Sequence, residues 1–314
     1  MSADTQTETP QKSSYALARA VVRQVERVSP NFVRVTFGGD ELEEIGTPGE
    51  VFDARIKLVF PPASGRVPDL GVDPGDWYGA WLAIPEAERG SMRTYSVRFL
   101  RAAAGTEVVV DFVLHLKPGL TGPASRWAST AAVGDEVLLV GPRRGRRDHG
   151  GAEFVPGEAS SILLAGDETA APAIARILED SPAATRGIAF IEAPSAQDVL
   201  AIDAPAGVEV HWLPRGEAEH GLRLIHTVLD YLGAPSDIVV RDVDTEDLLW
   251  ETPDYSGLGE EIDETAAAGD RYFWIAGESG VVTTLRRHLV KDLGIARARV
   301  AFMGYWRRGV AMKG

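Results

Sequence analysis

The sequence predicts a β + α/β protein, an N-terminal antiparallel β-barrel followed by a doubly wound parallel sheet. Two patterns carry this: short alternating runs punctuated by Gly and Pro fill the chain to about residue 150, and beyond it apolar strands alternate with helical segments. Size agrees, since 314 residues, 45% hydrophobic and 25% charged, suffice for two packed cores. The expected division is a disordered polar tail over 1–14, a barrel over 15–150, and an α/β unit with a C-terminal extension over 151–314.

In chain order, residues 16–28 and 31–37 alternate as strands, the second ending at the turn Gly38-Gly39-Asp40. Another alternating run, 53–60, stops at Pro61-Pro62 and carries Lys57, either a charge on a solvated face or a cation at a pocket mouth. The long Pro- and Gly-rich connection over 63–91 holds Trp77, Tyr78 and Trp81, which argue against full disorder. Over 93–98 a strand would put Arg93, Tyr95 and Val97 on one face and Thr94, Ser96 and Arg98 on the other. The apolar run 107–116 ends near His115, and a lone imidazole at a strand end is usually structural. Residues 119–127 then lead into a helix, and 136–140 form a strand before the basic loop 141–147. Five or so strands and one short helix describe a small barrel.

In the second half, strands are expected at 161–165, 187–192, 208–213, 271–276 and 299–303, and helices at 171–178, 222–232 and 280–293, with a weaker one at 245–250. That order implies a parallel sheet whose ligand crevice lies at the carboxyl ends of the strands. Two loops leave those ends, 166–172 (GDETAAP) and 276–280 (AGESG). The acidic stretch 241–264 reads as a solvated surface insertion without chemistry.

Charge and cysteine content narrow the chemistry. With 32 basic against 46 acidic residues the net charge is −14, which disfavours nucleic acid and anionic membranes, so any anionic ligand needs a local basic pocket. There are no cysteines, which excludes disulfides, thiolate catalysis and Cys-ligated iron–sulfur or zinc sites. Electrons passing through this chain would travel on an organic cofactor. The polar first residues resemble no signal peptide and no apolar run reaches membrane-spanning length, so the cytoplasm is the expected location.

Arg93-Thr94-Tyr95-Ser96-Val97-Arg98 sets a ring beside a cation and hydroxyls. A flavin dinucleotide needs these: an aromatic face for the isoalloxazine or ribityl, hydroxyls for its polar rim and a guanidinium for its diphosphate. A decorated solvent-facing strand would look the same. Gly122-Pro123-Ala124-Ser125 opens a helix where backbone N–H groups and the Ser125 hydroxyl suit a phosphate, though by itself the turn is only a helix start. In the GDET loop, Asp167 and Glu168 beside a diphosphate would cost energy unless only backbone and Thr169 face it; capping of the next helix is the other reading. Gly277 and Gly280 permit close backbone approach, and Tyr305-Trp306-Arg307 after the last strand could cover a flavin ring and reach an anion, or pack on the barrel.

Taken together, RTYSVR (93–98), DFVLH (111–115), GPASRWA (122–128), GDETAAPAI (166–174), WIAGES (274–279) and GYWRRG (304–309) resemble the siderophore-interacting protein family, within the wider ferredoxin-reductase-like superfamily. The likeness runs from about residue 16 to 309. It implies an FAD-binding barrel and an NAD(P)H-binding α/β unit. Carried across, cofactor contacts fall on Arg93, Thr94, Tyr95, Ser96, His115, Gly122, Ala124, Ser125, Trp127, Asp167, Glu168, Thr169, Gly277 and Glu278. Basic residues toward a ferric siderophore would be Lys57, Arg143 or Arg144, and Arg307. Leu116-Lys117 after His115 and the long acidic segment depart from the family pattern.

The implied reaction passes a hydride from NAD(P)H to FAD and then single electrons to siderophore-held Fe(III), releasing Fe(II), with no catalytic side chain and no protein-bound metal. A general NAD(P)H–flavin or ferredoxin-type reductase and a non-enzymatic ferric-siderophore carrier are the alternatives. Glu192, at the end of the second parallel strand, favours a free ribose 2′-OH, and Arg215 a 2′-phosphate, so the nucleotide is left as NAD(P)H. The expected partner is a ferric siderophore, with no nucleic acid or stable membrane contact, and the expected state is a monomer.

Overall fold

The structure, a computed structural model, describes residues 13–47, 49–70, 76–102, 104–116, 121–146, 151–235, 248–253, 255–256 and 270–309. Most of the expected tail, Lys117, Gly119, Leu120, Arg147 and most of the acidic stretch lie outside them.

The first half forms one seven-stranded antiparallel sheet from β1 (Tyr15–Ser29), β2 (Phe32–Gly38), β3 (Arg55–Phe60), β4 (Ser91–Ser96), β5 (Phe99–Arg101), β6 (Glu107–Val113) and β7 (Glu136–Pro142), in the order β4-β3-β7-β1-β2-β6-β5. Its edge strands β4 and β5 are consecutive in the chain. Val97 N donates to Ala54 O at 2.9 Å and Arg98 N to Val109 O at 2.8 Å, so the sheet curls until its edges nearly meet. Strand β5 was not expected, being too short to show alternation. The long connection, expected as loop, also contains a short helix, α1 (Trp77–Ala83), whose first turn is capped by Asp76 accepting from Gly79 N. Helix α2 (Pro123–Thr130) packs against β2, β3, β4 and β6 and plugs the barrel with Ala124 and Ala128.

In the second half, β8 (Ser161–Gly166), β9 (Arg186–Ala193), β10 (Gly207–Pro214), β13 (Arg271–Glu278) and β14 (Val300–Trp306) form a parallel sheet in the order β10-β9-β8-β13-β14. Helices α3 (Ala171–Asp180), α4 (Leu222–Tyr231) and α5 (Ser279–Arg286) connect or flank the strands. Strand order reverses between β8 and β13, which sets the crevice at the ends of those two strands. A short antiparallel hairpin, β11 (Trp250–Thr252) and β12 (Tyr255–Ser256), extends the β14 edge. This corrects the weaker helix expected at 245–250, whose described end, Trp250, is strand. Within the described part of the acidic stretch, the solvated reading fails at Glu251, which is fully buried and held by Arg286 Nε at 2.6 Å and Arg297 Nε at 3.1 Å.

Buried carboxylates bolt the two sheets together. Asp53 accepts from Trp274 Nε1 at 2.9 Å and from the backbone of Glu153 and Phe154. Asp198 accepts from Ser29 Oγ at 2.7 Å and from Asn31 N and Nδ2, both at 2.9 Å. Arg98 grips Glu179 with two bonds of 2.6 Å. Phe32, on barrel strand β2, is fully buried in the core of the second half. No helix among the described residues is long and apolar enough to cross a membrane.

Candidate functional site

On the barrel rim, β4 presents the expected alternation. Arg93 and Tyr95 lie on the inner face, where the Tyr95 ring sits 4.6 Å from Phe112 and packs on the barrel core. Thr94 and Ser96 lie on the outer face, paired across the strand with Lys57 and Arg55. The Arg93 guanidinium is half-buried and donates to the neighbouring Met92 carbonyl; no carboxylate pairs with it among the described residues. Burial lowers its pKa, with Tyr95 opposing. A cation desolvated without a counter-ion is prepared for an anionic ligand.

Helix α2, packed against β4, starts at Gly122, and no side chain caps it; a Cβ at Gly122 would meet nothing within 4 Å. An uncapped helix N-terminus, on a helix packed against the strand that carries Arg93, suits a diphosphate, so these residues fit FAD. Three neighbouring side chains do other work than expected. Ser125 donates its hydroxyl proton to Val113 O at 2.9 Å, tying α2 to β6. Ala124 is buried in the core, and Trp127 stacks on Phe37 with centroids 6.1 Å apart. These side chains fasten the helix to the barrel, and the backbone of the turn stays open.

At the switch point the GDET loop turns its acids inward. Asp167 Oδ1 accepts from Thr169 N (2.9 Å) and Oγ1 (2.6 Å), and Oδ2 from Glu278 N (2.8 Å) and Trp306 Nε1 (2.9 Å). Gly277, at φ 138°, leaves room for this: a Cβ there would lie 2.7 Å from Asp167 Cγ. Glu278 caps α5 by accepting from Val281 N at 3.0 Å. Thus Asp167, Thr169, Gly277 and Glu278 build the crevice wall: Asp167 gathers Thr169, Glu278 N and Trp306, and the Glu278 carboxylate accepts from Val281 N and Arg308 N.

Glu168, 2% exposed, is held by both Arg215 nitrogens at 3.1 Å, with His115 Nε2 at 3.3 Å and His220 Nε2 at 3.5 Å. Burial alone would raise its pKa; the histidines and Arg215 overcome that and hold it well below the usual carboxylate range. His220 moves the other way, raised against its own desolvation by Glu168 and Asp167. Both imidazoles meet the Trp306 indole edge-on, His115 at 5.3 Å and His220 at 5.1 Å between centroids. The expected His115 is therefore a link from barrel to crevice. His220 and the anchoring role of Trp306 were not foreseen; the signal available was the position of Glu219-His220-Gly221 beyond the third parallel strand, at the crevice end. The ligating atoms of Asp167, Glu168 and His220 lie within 4.8 Å of one another, but the N–H donors on both carboxylates and the Arg215 cation occupy what a metal would need.

Glu192 and Arg215, the two residues expected to bear on nucleotide choice, are paired with each other. Glu192 is fully buried, accepting from Arg215 at 2.8 Å and from Gly221 N at 2.8 Å as it caps α4. Arg215 is divided between Glu168 and Glu192.

Of the expected anion-binding cations, Arg143 is a correction. It pairs with Glu44 and donates to Ser13 O (2.8 Å) and Tyr15 O (3.2 Å), fastening the first strand. Arg144 likewise bonds Glu43 O, Ile45 O and Thr106 Oγ1. Arg307 is half-buried at the end of β14. Lys57 is exposed, donates to Thr94 Oγ1 at 3.3 Å, and has its pKa lowered by partial burial and then by Arg55.

Comparison with known proteins gives the following. Residues 21–146 match the family model described as siderophore-interacting FAD-binding domain, and residues 159–309 the model described as siderophore-interacting protein. An uncharacterised Mycobacterium tuberculosis protein is 34% identical over 289 residues, covering 90% of this chain and 87% of its own. The ferric vibriobactin reductase ViuB of Vibrio cholerae is 29% identical over 282 residues, covering 90% and 86%. The crystal structure of a siderophore utilization protein from T. fusca superposes with a TM-score of 0.67 at 29% identity, covering 96% of this chain and 97% of that one. A ferredoxin reductase of carbazole 1,9a-dioxygenase, at 16% identity and TM-score 0.54 over 92% of this chain and 67% of that one, shares the fold.

Proposed function

The chain belongs to the siderophore-interacting protein family, and from that premise we propose that it is an FAD-dependent NAD(P)H oxidoreductase that reduces siderophore-bound Fe(III). The observation carrying this reading is Arg93, a half-buried guanidinium without a carboxylate partner among the described residues, on the strand that also bears Tyr95 and Ser96. When bound, FAD would supply the redox chemistry that couples a two-electron donor, reduced nicotinamide, to a one-electron acceptor, Fe(III).

The chain's residues bind and orient. Arg93 and the open N-terminus of α2 neutralise the flavin diphosphate, while Tyr95 and Ser96 offer a ring and a hydroxyl on the same strand. The barrel, residues 15–150, is assigned to FAD, and the crevice of 151–314, walled by the Asp167–Glu278–Trp306 network, to the nicotinamide nucleotide. Lys57 and Arg307 orient the anionic chelate against a chain of net charge −14. Iron enters and leaves as substrate, since reduction weakens its hard oxygen ligation. Dependence on reduced nicotinamide nucleotide assigns the reaction to the cytoplasm, and the working unit is taken as a monomer.

The test is anaerobic stopped flow with the flavin-loaded protein, mixed first with NADH or NADPH and then with ferric siderophores. Flavin bleaching followed by recovery and Fe(II) capture is expected. Failure to turn yellow with excess FAD would overturn the reading.

A further inference from the structure

Strand β10 (Gly207–Pro214) is an outer edge of the parallel sheet, and among the described residues only β9 pairs with it. Edge strands of folded proteins are ordinarily blunted by a lysine, a bulge, an internal proline or short length. None of these occurs in β10. It runs for eight residues in unbroken register with β9, and its proline is the last of them. Val208 N turns back to Pro205 O at 2.9 Å, away from β9, and backbone groups alternate in direction along a strand. The N–H and C=O groups of Val210 and Trp212 therefore point out of the sheet, where no backbone partner meets them among the described residues.

Side chains divide by face. Glu209 and His211 are exposed on the α4 side, with Glu209 Oε2 3.2 Å from His211 Nε2 and the imidazole resting on Phe190, 5.5 Å between ring centroids. Val208, Val210 and Trp212 lie on the opposite face and pack toward the core beneath α3.

We propose that β10 docks a second copy of this chain, pairing antiparallel with the same strand of its partner about a two-fold axis at Val210. Charge singles out that register. It sets Glu209 opposite the partner's His211 and His211 opposite the partner's Glu209, at positions not joined by backbone bonds, where facing side chains approach closest. Moving the axis to residue 209 or 211 would oppose like side chains. At Val210 the two backbones exchange N–H···O bonds, and Trp212 N reaches the partner's Val208 carbonyl. On the other face Trp212 lies across from the partner's Val208, which continues the apolar surface from one copy to the next.

A self-complementary contact of this kind closes on itself, giving a dimer and no further growth. Two edge strands bury less than a standard interface, so the association is weak, with a Kd on the order of 10 µM. Strand β9 separates β10 from the crevice strand β8, so each copy keeps its own site and one chain remains the working unit.

Sedimentation velocity of the full chain from about 1 to 300 µM tests this, beside two charge variants at exposed positions. The unaltered chain should pass from monomer to dimer across that range. Glu209→Lys sets lysine opposite histidine, and His211→Glu sets carboxylate opposite carboxylate; each alone should dimerise about tenfold more weakly. Mixed in equal amounts, the two variants regain a complementary pair at both positions and should form a heterodimer near the original affinity. A chain that stays monomeric to about 300 µM overturns the proposal, as does a dimer that both variants leave unchanged or one that mixing fails to recover.

Discussion

Trp306 Nε1 donates to Asp167 Oδ2 at 2.9 Å, joining the end of the last strand to the loop after β8. The same oxygen takes Glu278 N, so three loops of the crevice converge on one carboxylate. Trp306→Phe keeps a ring between His115 and His220 and loses only this bond, for an expected cost of about 1 kcal/mol. Asp167→Ala strands the N–H groups of Thr169, Glu278 and Trp306 together and should cost about 3 kcal/mol. Urea denaturation of the two variants reads this ordering directly.

Arg93 makes the opposite prediction. Lacking a carboxylate partner among the described residues, it contributes little to the fold, and its removal relieves a desolvated charge. Arg93→Ala should therefore melt at or near the wild-type temperature while losing flavin affinity by about 100-fold, the worth of a charge-assisted bond to a diphosphate. The ratio of flavin to protein absorbance after gel filtration, with FAD added back by titration, measures it.

The sequence leaves Arg215 as one candidate cation for a 2′-phosphate, against Glu192 for a free 2′-OH. In the fold it is paired with two carboxylates, Glu168 and Glu192. Arg215→Ala leaves Glu168 and Glu192 buried without it and should cost roughly 3–5 kcal/mol, raising KM for NADH and NADPH alike. Selective loss of NADPH use at an unchanged melting temperature would restore the phosphate-reading role.

The barrel and the parallel sheet were legible because alternation and strand–helix spacing are local properties of the chain, and the strands fall where those patterns lie. What escaped was tertiary. Asp167 and Glu168 look like ligand contacts in a loop after a strand, and only the folded chain brings Trp306, His220 and Arg215 onto them. Arg143 and Lys57 look equivalent as isolated cations. Glu44 and Ser13, distant in sequence, claim the first, while pairing with Thr94 leaves the second on an open face. Trp250 sat in a stretch that composition marks as solvated, yet it stacks on Tyr305.

That distinction between the two cations is itself testable. Arg143→Ala should lower thermal stability modestly, since three of its contacts tie the start of the first strand to the turn after β2, and leave KM for a ferric chelate unchanged. Lys57→Gln should do the reverse, raising KM several-fold at an unaltered melting temperature. Steady-state kinetics beside thermal melts of both variants separates the roles.

His220 and Glu168 give the crevice a pH window. Glu168, depressed well below its ordinary 4.5, contributes stability that is complete above that value and is lost as pH falls through its folded-state pKa. His220, raised above 6.5, contributes stability that is complete below that value and is lost as pH rises through its folded-state pKa. Both contributions are full between about pH 4.5 and 6.5, the ordinary values of the two groups. His220→Gln should therefore melt furthest below wild type within that window, and the gap should narrow on the alkaline side as the wild-type imidazole loses its proton. Thermal melts of the two proteins across that range check the sign, and a gap that widened toward alkaline pH would mean that His220 is held neutral beside the two acids.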